Sequence, residues 1–283
     1  MPQIIHLHEA PWREPETLAT LQPDFLELVV EPSRRAAAAA AAVICPSESS
    51  KRQIVEDGQI AADRVFVAYH GVDHLVFRPG LTGGAAVAAS HGADPDRPYV
   101  LSVATLHPRK NLPALRQAMA KLAAEGLPHQ LVLVGGPAHG RDDDSALRQE
   151  MLASGSAAAP PVVLVPHGLP DADLAALMAG AAAFCLPSLS EGFGLPAAEA
   201  MACGTATVLA RRGALPEIGG NAAVLVEPQA GALADGLRPL LQDPSNAAEV
   251  GVACAAQATS FTWDRAAQHW EIAIRAGLTA GTP

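Results

Sequence analysis

The sequence predicts an α/β fold: a doubly wound, Rossmann-like parallel sheet after residue 75, preceded by a smaller, partial Rossmann-like unit. Three observations lead there. Short apolar runs alternate with helical patterns from Tyr99 onward. Those runs are apolar at nearly every position, as strands covered on both faces must be. A stretch rich in Pro and Gly (Pro79, Gly80, Gly83, Gly84, Pro95, Pro98) interrupts the pattern before them.

Taken in order, Ile4–Leu7 is expected to be a short strand and Ala10–Pro15 a loop. Leu26–Val30 is either extended or the start of a helix running through the seven alanines Ala36–Ala42. Val43-Ile44-Cys45 is a strand, and Ser47 is the natural cap of a helix reaching Glu56. Val65–Tyr69 is a strand, and Gly71–Pro98 is expected to be loop-rich, with a domain boundary near residues 73–80. Then come strand Val100–Val103, helix Asn111–Glu125, strand Gln130–Val134, helix Ala146–Ser154, strand Val162–Val165 and helix Asp171–Ala179. Strand Ala183–Leu186, helix Ala197–Ala202, strands Thr207–Leu209 and Ala223–Val226, and helices Ala230–Leu241 and Ala247–Ala258 complete the pattern. The division expected is 1–75, 76–260, and a final helix in 261–283 packing back on the N-terminal part.

Composition narrows the function classes. The net charge is −10, and aromatics make up 4%. Neither a nucleic-acid partner nor a polybasic membrane patch fits that balance. The cysteines Cys45, Cys185, Cys203 and Cys254 show no CxxC pair. They read as reduced thiols of a cytoplasmic protein. No run reaches the roughly 18 apolar residues of a membrane span, and polar residues interrupt the start where a signal peptide would lie.

In an open parallel sheet, ligands bind at the carboxyl ends of the strands. Arg109 and Lys110, Gly135 and Gly136, His167 and Gly168, and Glu191 to Leu195 all fall in such loops. The most informative stretch is Ser188–Gly204. Gly192 and Gly194 permit positive φ and close approach of a ligand. Pro196 suits a first helical turn, whose free N–H groups attract an anion such as a diphosphate. The carboxylates of Glu191 and Glu199 would repel phosphate but accept hydrogen bonds from sugar diols. The bland alternative is a tight strand-to-helix turn, with Glu199 merely complementing the helix dipole from its first turn.

Glu191-Gly192-Phe193-Gly194-Leu195-Pro196 and Glu199-Ala200-Met201-Ala202-Cys203-Gly204 resemble the signature of the retaining glycosyltransferases of family 4, which have the GT-B architecture. Pro46–Lys51, Tyr69-His70-Gly71-Val72-Asp73, Leu101–Leu112 and Trp263-Asp264 resemble further family segments. Two departures stand out. Ala104-Thr105 replaces a frequent Gly-Arg, leaving Arg109 as a substitute in a mannosyltransferase-like branch (the Tyr69–Asp73 segment carries His70 where Asn is usual). The second departure is larger: the family's acceptor-binding N-terminal domain is expected to be represented only from near its middle.

The resemblance implies a nucleotide-sugar donor. It implies Lys110 and Arg109 on the diphosphate, Glu199 on the ribose and Glu191 on the transferred sugar. Backbone N–H groups of Phe193, Gly194 and Leu195 would hold sugar and phosphate oxygens, and His167-Gly168 would touch the base. It places His8, followed by Glu9, at the acceptor side of the active site, and implies neither a cofactor nor a protein nucleophile. His6, His8 and Glu9 suggest a metal only weakly, since no third ligand is sensibly spaced. Asp142-Asp143-Asp144 reads as a solvated face. The function expected is transfer of a hexose, mannose among the candidates, to a glycan or lipid-linked acceptor with retention. Peripheral contact at the inner membrane face, and a partner chain supplying the missing half-domain, are the further partners considered. The alternatives are a nucleotide-sugar-binding module without activity and, last, a nucleotide-sugar epimerase.

Overall fold

The computed structural model describes residues 2–10, 13, 15–19, 24–57, 60–136, 148–149, 151 and 161–280. The expected helix Ala146–Ser154 falls mostly outside them, and Asp142–Asp144 wholly outside.

Two parallel sheets organise the chain. The smaller has strands β1 (Ile4–His6), β2 (Ala42–Cys45) and β3 (Val65–Val67) in the order β1-β2-β3. The larger has β4 (Tyr99–Val103), β5 (Gln130–Val134), β6 (Val162–Val165), β7 (Ala183–Leu186), β8 (Thr207–Ala210) and β9 (Val224–Val226). Its order is β6-β5-β4-β7-β8-β9. From β4 the chain winds outward through β5 to β6, and from β7 outward the other way. β4 and β7 therefore flank the switch point where the winding reverses. Residues 42–45, 130–134, 183–186 and 207–210 are buried throughout, the burial expected of strands sandwiched between helices.

Local chemistry sets the element ends. Ser47 is extended and its hydroxyl accepts from Ser50 N, which caps helix Glu48–Glu56. Asp243 does the same for helix Pro244–Ala258 through Ser245 N and Asn246 N. Helix Trp263–Ala280 returns to the smaller sheet, where Ala273 is buried with Ile44 and Ala68, and Gly277 lies against Ile4 and Ala42.

Four expectations change. Gly71–Pro98 is not all loop: Gly84–Ser90 is a helix. Gly84 lets it lie directly on helix Asp171–Gly180, since a Cβ there would clash with the Ala176 carbonyl. Pro15 opens a helical turn, Pro15–Leu18, rather than ending a loop. Leu26–Val30 takes the helical of its two expected readings, as a π-helical stretch leading into helix Glu31–Ala39. Two strands are also shorter than expected. β1 ends at His6, although Leu7 N still donates to Ile44 O, and β3 ends at Val67.

Candidate functional site

The loops leaving β4 and β7 meet at the switch point. After β4 the chain makes a turn of 3-10 helix, Pro108–Lys110, capped by His107 Nδ1, which accepts from Arg109 N. Asn111 then takes a left-handed conformation (φ +53°), which Asn tolerates better than most residues. Its side-chain amide donates to Pro187 O and Pro228 O, and Leu189 N donates to Arg109 O at 2.8 Å. Lys110 is thus fixed against the loop that carries Glu191.

Lys110 Nζ donates to Glu191 Oε1 at 2.6 Å, and Ser188 Oγ donates to the same oxygen at 2.7 Å. Arg109 pairs with Glu9 at 3.0 Å, donates to Ser190 O at 2.7 Å, and stands 3.9 Å from Glu191. Two carboxylates and two cations form one network with little solvent access. Burial pushes the Glu191 carboxyl up, but Lys110 and then Arg109 outweigh it, and the net shift is downward. Glu9 moves the other way: burial dominates over Arg109 and raises it.

A cavity of about 520 Å³ opens beside this network, lined by Arg109, Lys110, Gly135, Gly136, His167 and Gly168 among others. Six of the residues singled out from the sequence therefore share one wall. Pro196 also lines it. Glu199 does not, yet it lies three residues on along helix Leu195–Ala202, on the same face as Pro196. Because that helix starts at Leu195, Glu199 occupies its second turn and not its first, so it is poorly placed to complement the dipole. Burial, and then Asp171, raise its carboxyl to about 7.

The glycines of the loop have separate tasks. A Cβ on Gly192 would collide with the His8 carbonyl oxygen, so the N-terminal segment can dock only on a bare backbone. Gly194 sits at φ +94° and begins the helix. Phe193 is buried, its ring packed edge-on against Phe261 at 5.5 Å and His70 at 5.1 Å, so its side chain wedges the two sheets together. Leu195 is the first helical residue, where backbone N–H groups have no partner four residues back.

His8 is exposed, beyond the end of β1, and is not among the residues lining the cavity. Its ring faces His6 (4.3 Å) and His70 (5.9 Å). The third imidazole that sequence spacing did not supply is therefore His70, brought in by the turn after β3. Sequence reasoning also missed Glu217. Its carboxylate accepts from Ser49 N (2.8 Å), Glu48 N (3.0 Å) and Tyr69 Oη (3.0 Å), joining a helix start of the smaller unit to the larger one. Its only sequence signal was Pro216, which marks a helix start at Leu215–Gly219.

Comparison with known proteins agrees with this architecture. The family model "Glycosyl transferases group 1" matches residues 86–255. The chain is 33% identical over 225 residues to D-inositol 3-phosphate glycosyltransferase of Acidothermus cellulolyticus, covering 75% of this chain and 48% of that protein. It is 34% identical over 203 residues to MMP alpha-(1->4)-mannosyltransferase of Mycolicibacterium hassiacum, covering 70% and 44%. The chain spans about half the length of these curated relatives. Among solved structures, sucrose-phosphate synthase from Thermosynechococcus elongatus superposes with TM-score 0.79 at 26% identity, over 99% of this chain and 68% of that one. HepE from Anabaena, in complex with UDP and glucose, gives TM-score 0.77 at 23% identity, over 96% and 71%. The match across residues 86–255, laid over a switch-point cavity flanked by paired Lys110 and Glu191, shows that this chain belongs to the group 1 glycosyltransferases, with the GT-B fold.

Proposed function

We propose that the chain provides the donor half of a retaining, family 4 type glycosyltransferase, which moves a hexose from a nucleotide-diphosphate sugar to a glycan or lipid-linked acceptor. Mannose is the candidate sugar, since one of the named relatives is a mannosyltransferase. The observation that carries this reading is that Lys110, which lines the cavity, is paired with Glu191 at 2.6 Å. A donor diphosphate, carrying more charge than one carboxylate, would give Lys110 a competing anionic partner, and Glu191 would then accept from sugar hydroxyls. As the sugar–phosphate bond breaks, charge develops on the leaving diphosphate. Lys110 and the start of helix Leu195–Ala202 would stabilise it.

Arg109 contributes through Glu9 and Ser190 O, which orient it along the same wall. Glu199 accepts from the ribose diol, and Gly135, Gly136, His167 and Gly168 bound the space for the base. The N–H groups of Phe193, Gly194 and Leu195 serve sugar and phosphate oxygens. His8, with Glu9, faces the acceptor side. The donor is a substrate, and the proposed chemistry calls on no cofactor.

Titration calorimetry with uridine, guanosine and adenosine diphosphates tests the site. One of them is expected to bind, with affinity reduced at least tenfold in Lys110→Ala and in Glu199→Ala. Unchanged affinity in both variants would overturn the assignment. Turnover of the matching nucleotide sugar, with the product's anomeric configuration read by NMR, tests transfer and retention separately. Binding without turnover, restored by a partner chain or not at all, would support the binding-module reading instead.

A further inference from the structure

We propose that His6, His8 and His70 form a binding site for one divalent transition-metal ion of the Zn²⁺ class, at the seam between the smaller sheet and the donor loop. The three imidazoles come from two separate segments, the end of β1 and the turn after β3. One ligand nitrogen from each lies within 4.8 Å of the others. A tetrahedral ion with bonds of 2.0–2.1 Å holds its ligand nitrogens about 3.3 Å apart. Small side-chain rotations therefore close the set without moving a strand.

The chemistry of the set is selective. Three nitrogens and no oxygen suit Zn²⁺, Co²⁺ or Ni²⁺ and disfavour Mg²⁺ and Ca²⁺. The His6 Nε2 is buried with no hydrogen-bond partner among the described residues, a position that an ion would satisfy. Aromatic rings pack around the group: Trp270 lies 5.2 Å from His6 and the buried Phe193 5.1 Å from His70, with the exposed Trp263 at 6.3 Å on the outside. Such a shell limits solvent around the ligands. His8 is exposed, so the fourth position opens to water. Occupied, the site would staple the start of the chain to the turn that rests on Phe193, beside Gly192 and Gly194.

The test uses the intact chain stripped with a chelator and titrated with ZnCl₂ by calorimetry. Parallel CoCl₂ titrations follow visible absorption, and MgCl₂ serves as the control ion. One Zn²⁺ per chain at micromolar affinity or better is expected, with the intense visible bands of four-coordinate Co²⁺ and no response to Mg²⁺. His8→Asn and His70→Asn should each weaken Zn²⁺ binding at least tenfold, while His91→Asn leaves it unchanged. The exposed His8 variant keeps the measurement interpretable should His70→Asn impair folding, which circular dichroism reports. Zn²⁺ binding weaker than about 100 µM, or unaltered in His8→Asn, would overturn the proposal and leave the cluster as packed neutral rings.

Discussion

Replacing Lys110 by Met should destabilise the ligand-free protein by about 3 kcal/mol. The lysine and Glu191 are both largely sequestered, with side-chain exposures of 15% and 10%. Removing one member of a buried pair leaves an uncompensated charge and costs about 3–5 kcal/mol. The lower figure applies because Ser188 still donates to Glu191 and Arg109 remains 3.9 Å away. Adding Glu191→Gln removes the stranded charge, so the double variant should regain about 2 kcal/mol, a coupling that a double-mutant cycle isolates. Urea unfolding at pH 7.5 gives the four stabilities. The solvent-exposed pair Arg238–Glu125 is the reference, where Arg238→Ala should leave the urea midpoint almost unchanged. The pH dependence has a defined sign. The folded-state Glu191 carboxyl lies below its ordinary value of 4.5. Its contribution is present above pH 4.5 and is lost as pH falls through the lowered folded value. A Lys110→Met cost below 1 kcal/mol, additive with Glu191→Gln, would refute the reasoning that the pair is buried and coupled.

Two further outcomes follow from the same loop. The folded Glu199 carboxyl is raised from 4.5 to about 7, so its contribution to stability is full below pH 4.5 and fades as pH rises to 7. Glu199→Gln should therefore stabilise the free protein at pH 8 by up to about 3 kcal/mol relative to pH 4.5, read from urea midpoints, and should weaken nucleoside diphosphate binding at pH 8. Gly192→Ala places a methyl against the His8 carbonyl and should cost about 1–3 kcal/mol in thermal unfolding, whereas alanine at the exposed Glu56 should change little.

The larger sheet was readable because its strands are apolar at almost every position, and three of them, β5, β6 and β7, run directly into Gly or Pro. Gln130–Val134 and Ala183–Leu186 occur as expected. Ser47 was readable as a cap for a local reason, since the bond it makes is three residues away. Helix Gly84–Ser90 escaped because two glycines open it and small alanines give it no apolar stripe; its reason for existing is the facing helix at Ala176. Lys110 and Glu191 could be named individually, but their pairing is a fact of strand order, which places β4 beside β7 across 81 residues of chain. His70 and Glu217 were invisible as partners for the same reason: each acts on a segment far away in sequence.

Glu217 has a consequence for the direction in which a donor can lie. Two helix starts face the seam, at Glu48 and at Leu195. The first already holds a carboxylate, which satisfies the N–H groups of Glu48 and Ser49 and repels any second anion. The second begins at a glycine and carries no acid in its first turn. The seam is therefore polarised, with one plugged anion socket and one open one. On the proposed reading, a donor diphosphate entering between the halves would be turned away from the Glu217 carboxylate and toward Lys110, so the protein's own acid would act as a signpost for a ligand it does not hold.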